Sequence, residues 1–325
     1  MNRPAKRPLT RSRTSNMVGA TDVIRRPERI IKLADRSVSL VLGSGGARGL
    51  AHIGIIEWLE KAGFEIESIA GSSMGALVGG IYAIGELEAY THWVKALRQI
   101  DVLRLLDFSF QKSGLIKGDR IIATLKELTG DRNIEDLPIS FTAVATNVND
   151  QKEIWLTHGS LFDAIRASIA IPTIFTPVKY RGKILVDGGL INPIPIAPTL
   201  RDKTDLTVAV DLSADPDPRC NDKLPESSRG EQESSSYRRR ISHFIDGLQA
   251  RLVRSSEEEM GLFDVISGAM ETMQNTIARF KLASYSPDVT ISIPRNSCAF
   301  YEFYRAEEMI ELGRCHAQRV MQAYL

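Results

Sequence analysis

The sequence predicts an α/β fold in which helices flank a central, mostly parallel β-sheet. An apolar, β-rich run over 37–43 ends in glycine and leads into a segment with helical spacing over 47–63. A short strand that ends at Gly71 and a helix from Ser73 to about Ile84 follow. Alternation of strand and helix is typical of neighbouring parallel strands in a layered α/β sheet.

Later segments extend this pattern. A helix after Lys117 precedes two strand-like runs, and a helix that begins near Ser160 ends before Pro172, because proline disfavours helical geometry in the residue before it. A helix from about Glu302 to Tyr324 closes the chain. The strand-like runs cover 139–148, 152–157, 183–189, 206–213 and 288–294.

Composition is that of an ordinary globular protein. Of 325 residues, 43% are apolar and 25% are charged, so a sizeable core is available. A formal net charge of +1 argues against a general nucleic-acid binder, for which a basic surplus is expected. No run approaches the roughly 20 apolar residues of a membrane-spanning helix, and no secretory signal is visible, so we expect a cytoplasmic protein.

The three cysteines, Cys220, Cys298 and Cys315, are odd in number and widely separated. This spacing fits neither a disulfide framework nor a zinc cluster, and reduced thiols are expected. The sequence shows no metal constellation, so we expect no metal.

Four segments lie outside the repeating strand and helix pattern. Residues 1–35 form a strongly basic arm that precedes a folded domain over 36–325, and 214–236 reads as a polar, mobile insertion. A basic amphipathic helix is predicted over 238–254. In the helix that follows, apolar residues spaced by three and four predict a seam that packs lengthwise on another helix. The seam residues are Phe263, Ile266, Met270, Met273, Ile277 and Phe280.

The stretch Gly71-Ser72-Ser73-Met74-Gly75 matches G-x-S-x-G, the strained strand-to-helix turn that presents a nucleophilic serine. Simple packing of a helix on a sheet is the alternative. In the chemical interpretation Ser73 points at the substrate and Ser72 contributes a turn hydrogen bond. Met74 packs, and its backbone N–H is a possible additional oxyanion donor.

Gly43 to Gly49, "GSGGARG", form a glycine-rich turn between a strand and a helix. Such a turn exposes N–H groups beside the positive end of a helix dipole and can hold a phosphate or an oxyanion; a tight turn without a ligand is the alternative. The dinucleotide fingerprint fails because Arg48 stands where it requires glycine, although Glu65 or Glu67 lies at a suitable distance for a ribose contact. We therefore expect no dinucleotide and no other cofactor.

Asp187 follows a strand and precedes two glycines in "VDGG". An isolated Asp-Gly pair usually marks only a turn. Here it accompanies a nucleophile elbow and an oxyanion-type turn, all three at strand ends, where parallel sheets build their sites.

Together, "GSGGARGLAHIG", "GSSMG", "RASIAIPTIFTPV" and "VDGG" resemble, in order and approximate spacing, the patatin-like phospholipases, a family of serine acyl hydrolases. The similarity covers about residues 37–213. It implies a patatin-type α/β fold and a catalytic dyad in which Ser73 is the nucleophile and Asp187 the base. Gly45, Gly46 and Arg48 would form or brace the oxyanion loop. Ser44 departs from the glycine that the family commonly has there.

The resemblance predicts hydrolysis of fatty-acyl esters of phospholipids or lysophospholipids through an acyl-serine. A carboxylesterase or transacylase with the same dyad, and a non-catalytic lipid-binding adaptor, are the alternatives. His52 is the competing base, although its helical position favours a packed histidine. The basic arm and helix 238–254 are candidates for docking on an anionic membrane; the alternative is that the helix covers the core or a subunit contact. The seam could line an acyl groove, but a core or homodimer contact is favoured.

Overall fold

A computed structural model describes residues 36–105, 116–217 and 262–325. The predicted arm, helix 238–254 and most of the predicted insertion lie outside these residues. The division into a basic arm and a hydrolase domain therefore stays a prediction.

The fold is the α/β arrangement that the sequence predicts. The strands are β1 (Ser37–Leu42), β2 (Glu65–Ser72), β3 (Ser140–Asn147), β4 (Lys152–Leu156), β5 (Val178–Tyr180), β6 (Lys183–Asp187), β7 (Leu206–Ala214) and β8 (Val289–Pro294). The helices are α1 (Ala51–Lys61), α2 (Met74–Ala83), α3 (Leu87–Ala96), α4 (Gln99–Leu105), α5 (Asp119–Thr129), α6 (Leu161–Ser168), α7 (Leu262–Tyr285) and α8 (Ala306–Met321). None of the helices in the described ranges is long and apolar enough to cross a membrane.

The eight strands form one sheet in the order β5-β6-β3-β2-β1-β7-β8, with β4 also paired to β3. The central pairs β3–β2, β2–β1, β1–β7 and β7–β8 are parallel. Strands β4 and β6 run antiparallel to β3, and β5 runs antiparallel to β6. The central strands are almost wholly buried, as expected where helices cover a parallel sheet.

The register of β3 brings two strand ends together. Val144 pairs with Ser72 at the end of β2, and the next residue, Ala145, pairs with Asp187 at the end of β6. Because β2 and β6 run in opposite directions along β3, their carboxyl ends meet. This register places Ser73 and Asp187 next to each other although 114 positions separate them in the chain.

Within the described residues, helix α7 does not pack its predicted seam lengthwise on another helix. Met273 and Phe280 are 56% and 68% exposed, whereas Met270 and Ile277 are half-buried. The helix contacts the sheet through Ala278, which belongs to a buried cluster with Val41 and Ala209. A contact of the seam with a second copy of the chain stays a prediction.

Helix α2 sits directly against the end of β1. A Cβ atom at Gly75 would collide with the carbonyl oxygen of Leu42. The sequence needs glycine at this position because no side chain fits between helix and strand.

Gly75→Ala should therefore lower the free energy of unfolding by roughly 2 kcal/mol or more, since overpacking against backbone cannot relax by side-chain rotation. Gly268→Ala is the matched control, because Gly268 lies in helix α7 with open space around it, and alanine there should stabilise by about 1 kcal/mol. Urea unfolding measures both changes. Equal effects of the two variants would contradict the packing described here.

Candidate functional site

Ser73 occupies a strained corner between β2 and α2. Its φ and ψ angles are 55° and −121°, a conformation that residues other than glycine rarely adopt. The side chain is buried at the N-cap of α2, beside the positive end of the helix dipole. A Cβ atom at Gly71 would lie 2.5 Å from the amide nitrogen of Ala76, so the sharp turn depends on glycine.

A second buried serine holds this corner in place. The N–H of Ser73 donates to Ser168 Oγ over 3.0 Å, and Ser168 Oγ donates to the carbonyl oxygen of Val144 over 2.6 Å. Ser168 is the last residue of α6 and is fully buried. The hydroxyl thus links the corner to strand β3 by two hydrogen bonds, one accepted and one donated.

Asp187 ends β6 and lies almost completely out of solvent. Its Oδ1 accepts the N–H of Gly189 over 2.6 Å, and its own N–H donates to Ala170 O over 2.9 Å. Burial raises the pKa of the carboxyl from 3.8 to about 7, although the nearby Ser73 hydroxyl and the hydrogen bond from Gly189 act in the opposite direction. A pKa near neutrality suits a general base better than the ordinary aspartate value.

The second carboxylate oxygen is free for a proton. Among the described residues, none donates a hydrogen bond of normal length to Asp187 Oδ2, which is buried. The Ser73 hydroxyl is nevertheless near enough to the carboxyl to lower its pKa. The two side chains are therefore adjacent, with a separation longer than a normal hydrogen bond. Contacts of this kind often tighten only when substrate binds.

The glycine-rich turn after β1 offers backbone donors. The N–H groups of Ser44 and Ala47 are used, by Pro193 O and Phe300 O, both at 2.9 Å. Within the described ranges nothing accepts a hydrogen bond from the N–H of Gly45 or Gly46, at the start of a short 3-10 helix over 46–50. Free N–H groups at a helix start attract negative charge, so these two donors suit an oxyanion.

The turn has no space for side chains at these glycines. A Cβ at Gly45 would lie 2.7 Å from the Leu212 side chain, and one at Gly46 would collide with Phe300. Gly46 also has a φ of 57°. The two glycines are needed for the shape of the turn as well as for its donors.

Arg48 points away from the turn and braces it from behind. Its buried guanidinium donates to Arg295 O over 2.8 Å and pairs with Glu271 Oε1 at 3.1 Å. The side chain thereby ties the glycine turn to the loop after β8 and to helix α7. Of the two sequence-based roles, forming or bracing the loop, the side-chain geometry fits the second.

The turn and the serine corner touch each other. A Cβ at Gly49 would collide with the Met74 side chain, so no residue stands between the two elements. The N–H of Met74, the first residue of α2, has no acceptor among the described residues. Gly45, Gly46 and Met74 are thus three free donors on adjoining elements.

Ser44 and Ser72 flank the aspartate turn. A Cβ at Gly189 would lie 2.7 Å from Ser44 Oγ, and one at Gly188 would lie 2.7 Å from Ser72 Oγ. The Ser72 hydroxyl is buried and has no hydrogen-bond partner among the described residues, so the turn hydrogen bond expected of it is not formed. Both serines instead pack where glycines 188 and 189 leave room.

His52 is a packed histidine. It is fully buried in α1, and its Nε2 lies 2.8 Å from Gly43 O, which can only accept, so the Nε2 atom carries the proton. Burial lowers the pKa of this imidazole to about 4. The neutral ring donates to Gly43, where β1 meets the glycine-rich turn, and so has a structural role.

Sequence reasoning missed the role of Ser168. The residue stands in "RASIAIP", a stretch that carried the family resemblance without an assigned function. Its neighbour Arg166 serves the same stretch, because its guanidinium donates to the carbonyl oxygens of Lys117 and Thr176. The sequence signal that could have indicated this role is a serine at the otherwise apolar end of helix α6.

Comparison with known proteins supports the resemblance. Residues 40–200 match the family model described as patatin-like phospholipase. The chain is 36% identical over 330 residues to an uncharacterized NTE family protein of Mycobacterium tuberculosis, which covers 88% of this chain and 92% of that protein. An uncharacterized NTE family protein of Mycobacterium bovis shows the same values.

Two further similarities are more partial. The lysophospholipase nte1 of Emericella nidulans is 32% identical over 187 residues, or 56% of this chain and 12% of that protein. Among solved structures, VipD from Legionella pneumophila aligns over 90% of this chain and 67% of that chain, with 13% identity and a TM-score of 0.44.

Asp187→Asn should stabilise the protein in a pH-dependent way. Because burial raises the folded-state pKa from 3.8 to about 7, the wild type loses stability as the pH rises between these values, and the loss is complete above pH 7. The neutral amide of asparagine has no charge to desolvate. Each unit of pKa shift corresponds to about 1.4 kcal/mol in the free energy of unfolding. Urea unfolding at pH 4 and pH 8 should show a gain for the variant that is much larger at pH 8. An equal difference at both pH values would disprove the burial of a carboxylate here.

Ser168→Ala should slow labelling of Ser73 by a fluorophosphonate about 10-fold, since an unpaired buried N–H at the strained corner costs about 1.4 kcal/mol. Ser39→Ala is the control, because Ser39 is also buried and bonds Asp202 Oδ2 at 2.8 Å, away from the site. Both variants should lose stability, and only the first should lose labelling rate. Similar labelling rates for the two variants would show that Ser168 does not support the Ser73 corner.

Proposed function

Because the chain belongs to the patatin-like phospholipase family, a family of lipid acyl hydrolases, we propose that it cleaves fatty-acyl esters of phospholipids or lysophospholipids through Ser73 and Asp187. The observation that carries the proposal is the buried carboxyl of Asp187, with a pKa of about 7, beside a serine in a strained corner. The similarity to a lysophospholipase of Emericella nidulans supports a lysophospholipid as one substrate class.

Acylation begins when the ionised Asp187 takes the hydroxyl proton as Ser73 Oγ attacks the ester carbonyl carbon. Transfer accompanies attack, because the pKa of an alcohol lies far above 7. The negative charge that develops on the carbonyl oxygen is stabilised by the N–H groups of Gly45, Gly46 and Met74. Collapse breaks the ester C–O bond, and Asp187 returns the proton to the departing alcohol.

Deacylation repeats these steps with water. Asp187 accepts a proton from the water that attacks the acyl-serine, the same donors stabilise the second oxyanion, and the proton returns to Ser73 as the fatty acid leaves. No metal or cofactor enters the sequence of steps. Arg48 acts indirectly, by holding the glycine turn against α7.

A phospholipid hydrolase must reach a lipid surface. The basic arm and helix 238–254 stay predictions for contact with an anionic membrane, as do a homodimer and a cytoplasmic location with peripheral membrane binding. Analysis of the products would identify the substrate headgroup and the acyl position that is cleaved. It would also distinguish hydrolysis from transfer of the acyl group to a second lipid.

Treatment with a lipid-like fluorophosphonate should give one adduct, at Ser73, detected by intact mass and peptide mapping. Ser73→Ala should give none, and Asp187→Asn should react at least about 100-fold more slowly because the base is lost. Ser72→Ala is the matched control: it removes the adjacent buried hydroxyl and should label like the wild type.

Release of free fatty acid from phosphatidylcholine and lysophosphatidylcholine should follow the same order of variants. An adduct at another residue, or fatty acid release that survives Ser73→Ala, would refute the dyad. A folded protein with neither adduct nor release would favour the adaptor.

A further inference from the structure

The geometry points to a lipid-docking surface at the carboxyl edge of the sheet, and we propose that its occupant is an anionic phospholipid bilayer. The surface, here called the hairpin surface, combines the β5–β6 hairpin with the end of β3 and the start of β4. Its residues are Val148, Lys152, Lys179, Arg181, Lys183 and Ile184. The purpose of docking rests on the proposed function, whereas the evidence for docking comes from the residues of the hairpin surface.

Apolar side chains are exposed at the centre of this surface. Val148 is 48% exposed and Ile184 is 38% exposed, and the two are neighbours because Val148 N–H donates to Ile184 O over 3.1 Å. The strand registers place Trp155, which is 45% exposed, on the same sheet face as Ile184. Tryptophan and aliphatic side chains at a protein surface favour the boundary between headgroups and acyl chains.

Cations lie on both faces of the hairpin beside these apolar residues. Lys179 pairs directly across the hairpin with Ile184 and shares its face, and Lys183 pairs with Tyr180 on the opposite face. Arg181 at the tip stacks over the Tyr180 ring, 5.1 Å from its centroid. The hairpin, 178–184, thus carries three positive charges and no carboxylate.

The tip holds its charge at an energetic cost. Arg181 has a φ of 48° and Gly182 a φ of 78°, so both residues of the two-residue turn are left-handed. Asparagine or glycine would occupy the first position with less strain. The turn nevertheless places the Arg181 charge at the tip of the hairpin.

The nearby carboxylates are already engaged. Asp150 Oδ2 accepts from Asn147 Nδ2 at 2.7 Å, and Glu153 accepts from Trp155 and Asn192 and lies 3.7 Å from Lys281 Nζ. Glu135, within electrostatic reach of Arg181, accepts the N–H of Gly159 at 2.7 Å. Hydrogen bonds from neutral donors leave the charges of Asp150 and Glu135 in place, and Lys281 offsets the charge of Glu153. The four cations of the hairpin surface, Lys152, Lys179, Arg181 and Lys183, therefore outnumber those two carboxylates.

Position favours a bilayer over a second copy of the chain. Ile184 precedes Asp187 by three residues on β6, or about 10 Å along the strand. A bilayer against the hairpin surface would bring lipid esters close to the site. Two copies joined through this surface would instead oppose cations to cations, which disfavours a symmetric contact.

The first test is partitioning of the full chain onto vesicles of equimolar phosphatidylglycerol and phosphatidylcholine. The triple variant Lys179→Glu, Arg181→Glu, Lys183→Glu should bind on the order of 100-fold more weakly, since three cations near an anionic surface are lost. The control, Lys61→Glu, Arg201→Glu, Lys203→Glu, makes the same charge change at exposed positions near the amino ends of β2 and β7. It should bind within about 3-fold of the wild type, because those positions face away from the bilayer.

A second variant, Val148→Ser with Ile184→Ser, removes apolar surface without changing charge and should weaken binding about 10-fold. Fluorophosphonate labelling of Ser73 in solution should be unchanged in both hairpin variants, which verifies their fold. Vesicle binding requires no turnover, so a failed hydrolase proposal would leave these results intact. Equal binding of the two triple variants, or no preference of the wild type for anionic over pure phosphatidylcholine vesicles, would overturn the docking surface.

Discussion

The close approach of helix α2 to the end of β1 is the constraint on which the site depends. With Gly75 against the Leu42 carbonyl and Met74 against Gly49, the helix start, the serine corner and the glycine turn are held in close contact. Ser168 then fixes the corner to β3, the strand that also aligns Asp187 with the end of β2. Backbone contacts, rather than long side chains, set the geometry, which suits the proposed role of the glycine turn as an oxyanion site.

Burial of Asp187 gives this geometry its chemistry at an energetic cost. An exposed aspartate would be fully ionised at neutral pH and too weak a base to assist a hydroxyl effectively. Burial away from water raises its pKa to about 7, so the carboxylate becomes more basic. The desolvation of the charged form destabilises the folded state. The strain at Ser73 is a second cost at the same site, and both are typical of residues positioned for reaction rather than for stability.

Local sequence patterns were sufficient for most of the fold. Strand–helix alternation identified the parallel sheet, and the glycine spacing around Ser73 and Gly45 identified turns that no other residue can form. The role of Ser168 could not be predicted, because its partners lie on β2 and β3 and only the folded sheet brings them together.

The direction of the Arg48 side chain and the buried face of α7 could likewise not be predicted from the sequence. Arg48 has the same motif position whether it faces the turn or Glu271. The apolar stripe of α7 has the same spacing whether buried or exposed, and a small residue, Ala278, decided which face met the sheet.

The most direct test of Asp187 as the base is the pH dependence of the rate at which a soluble fluorophosphonate labels Ser73. The rate should rise with pH through a single ionisation near 7, the pKa of the buried Asp187, and the profile should become slow and flat in Asp187→Asn. A profile that keeps its ionisation in Asp187→Asn would rule out Asp187, because another group would then be the base.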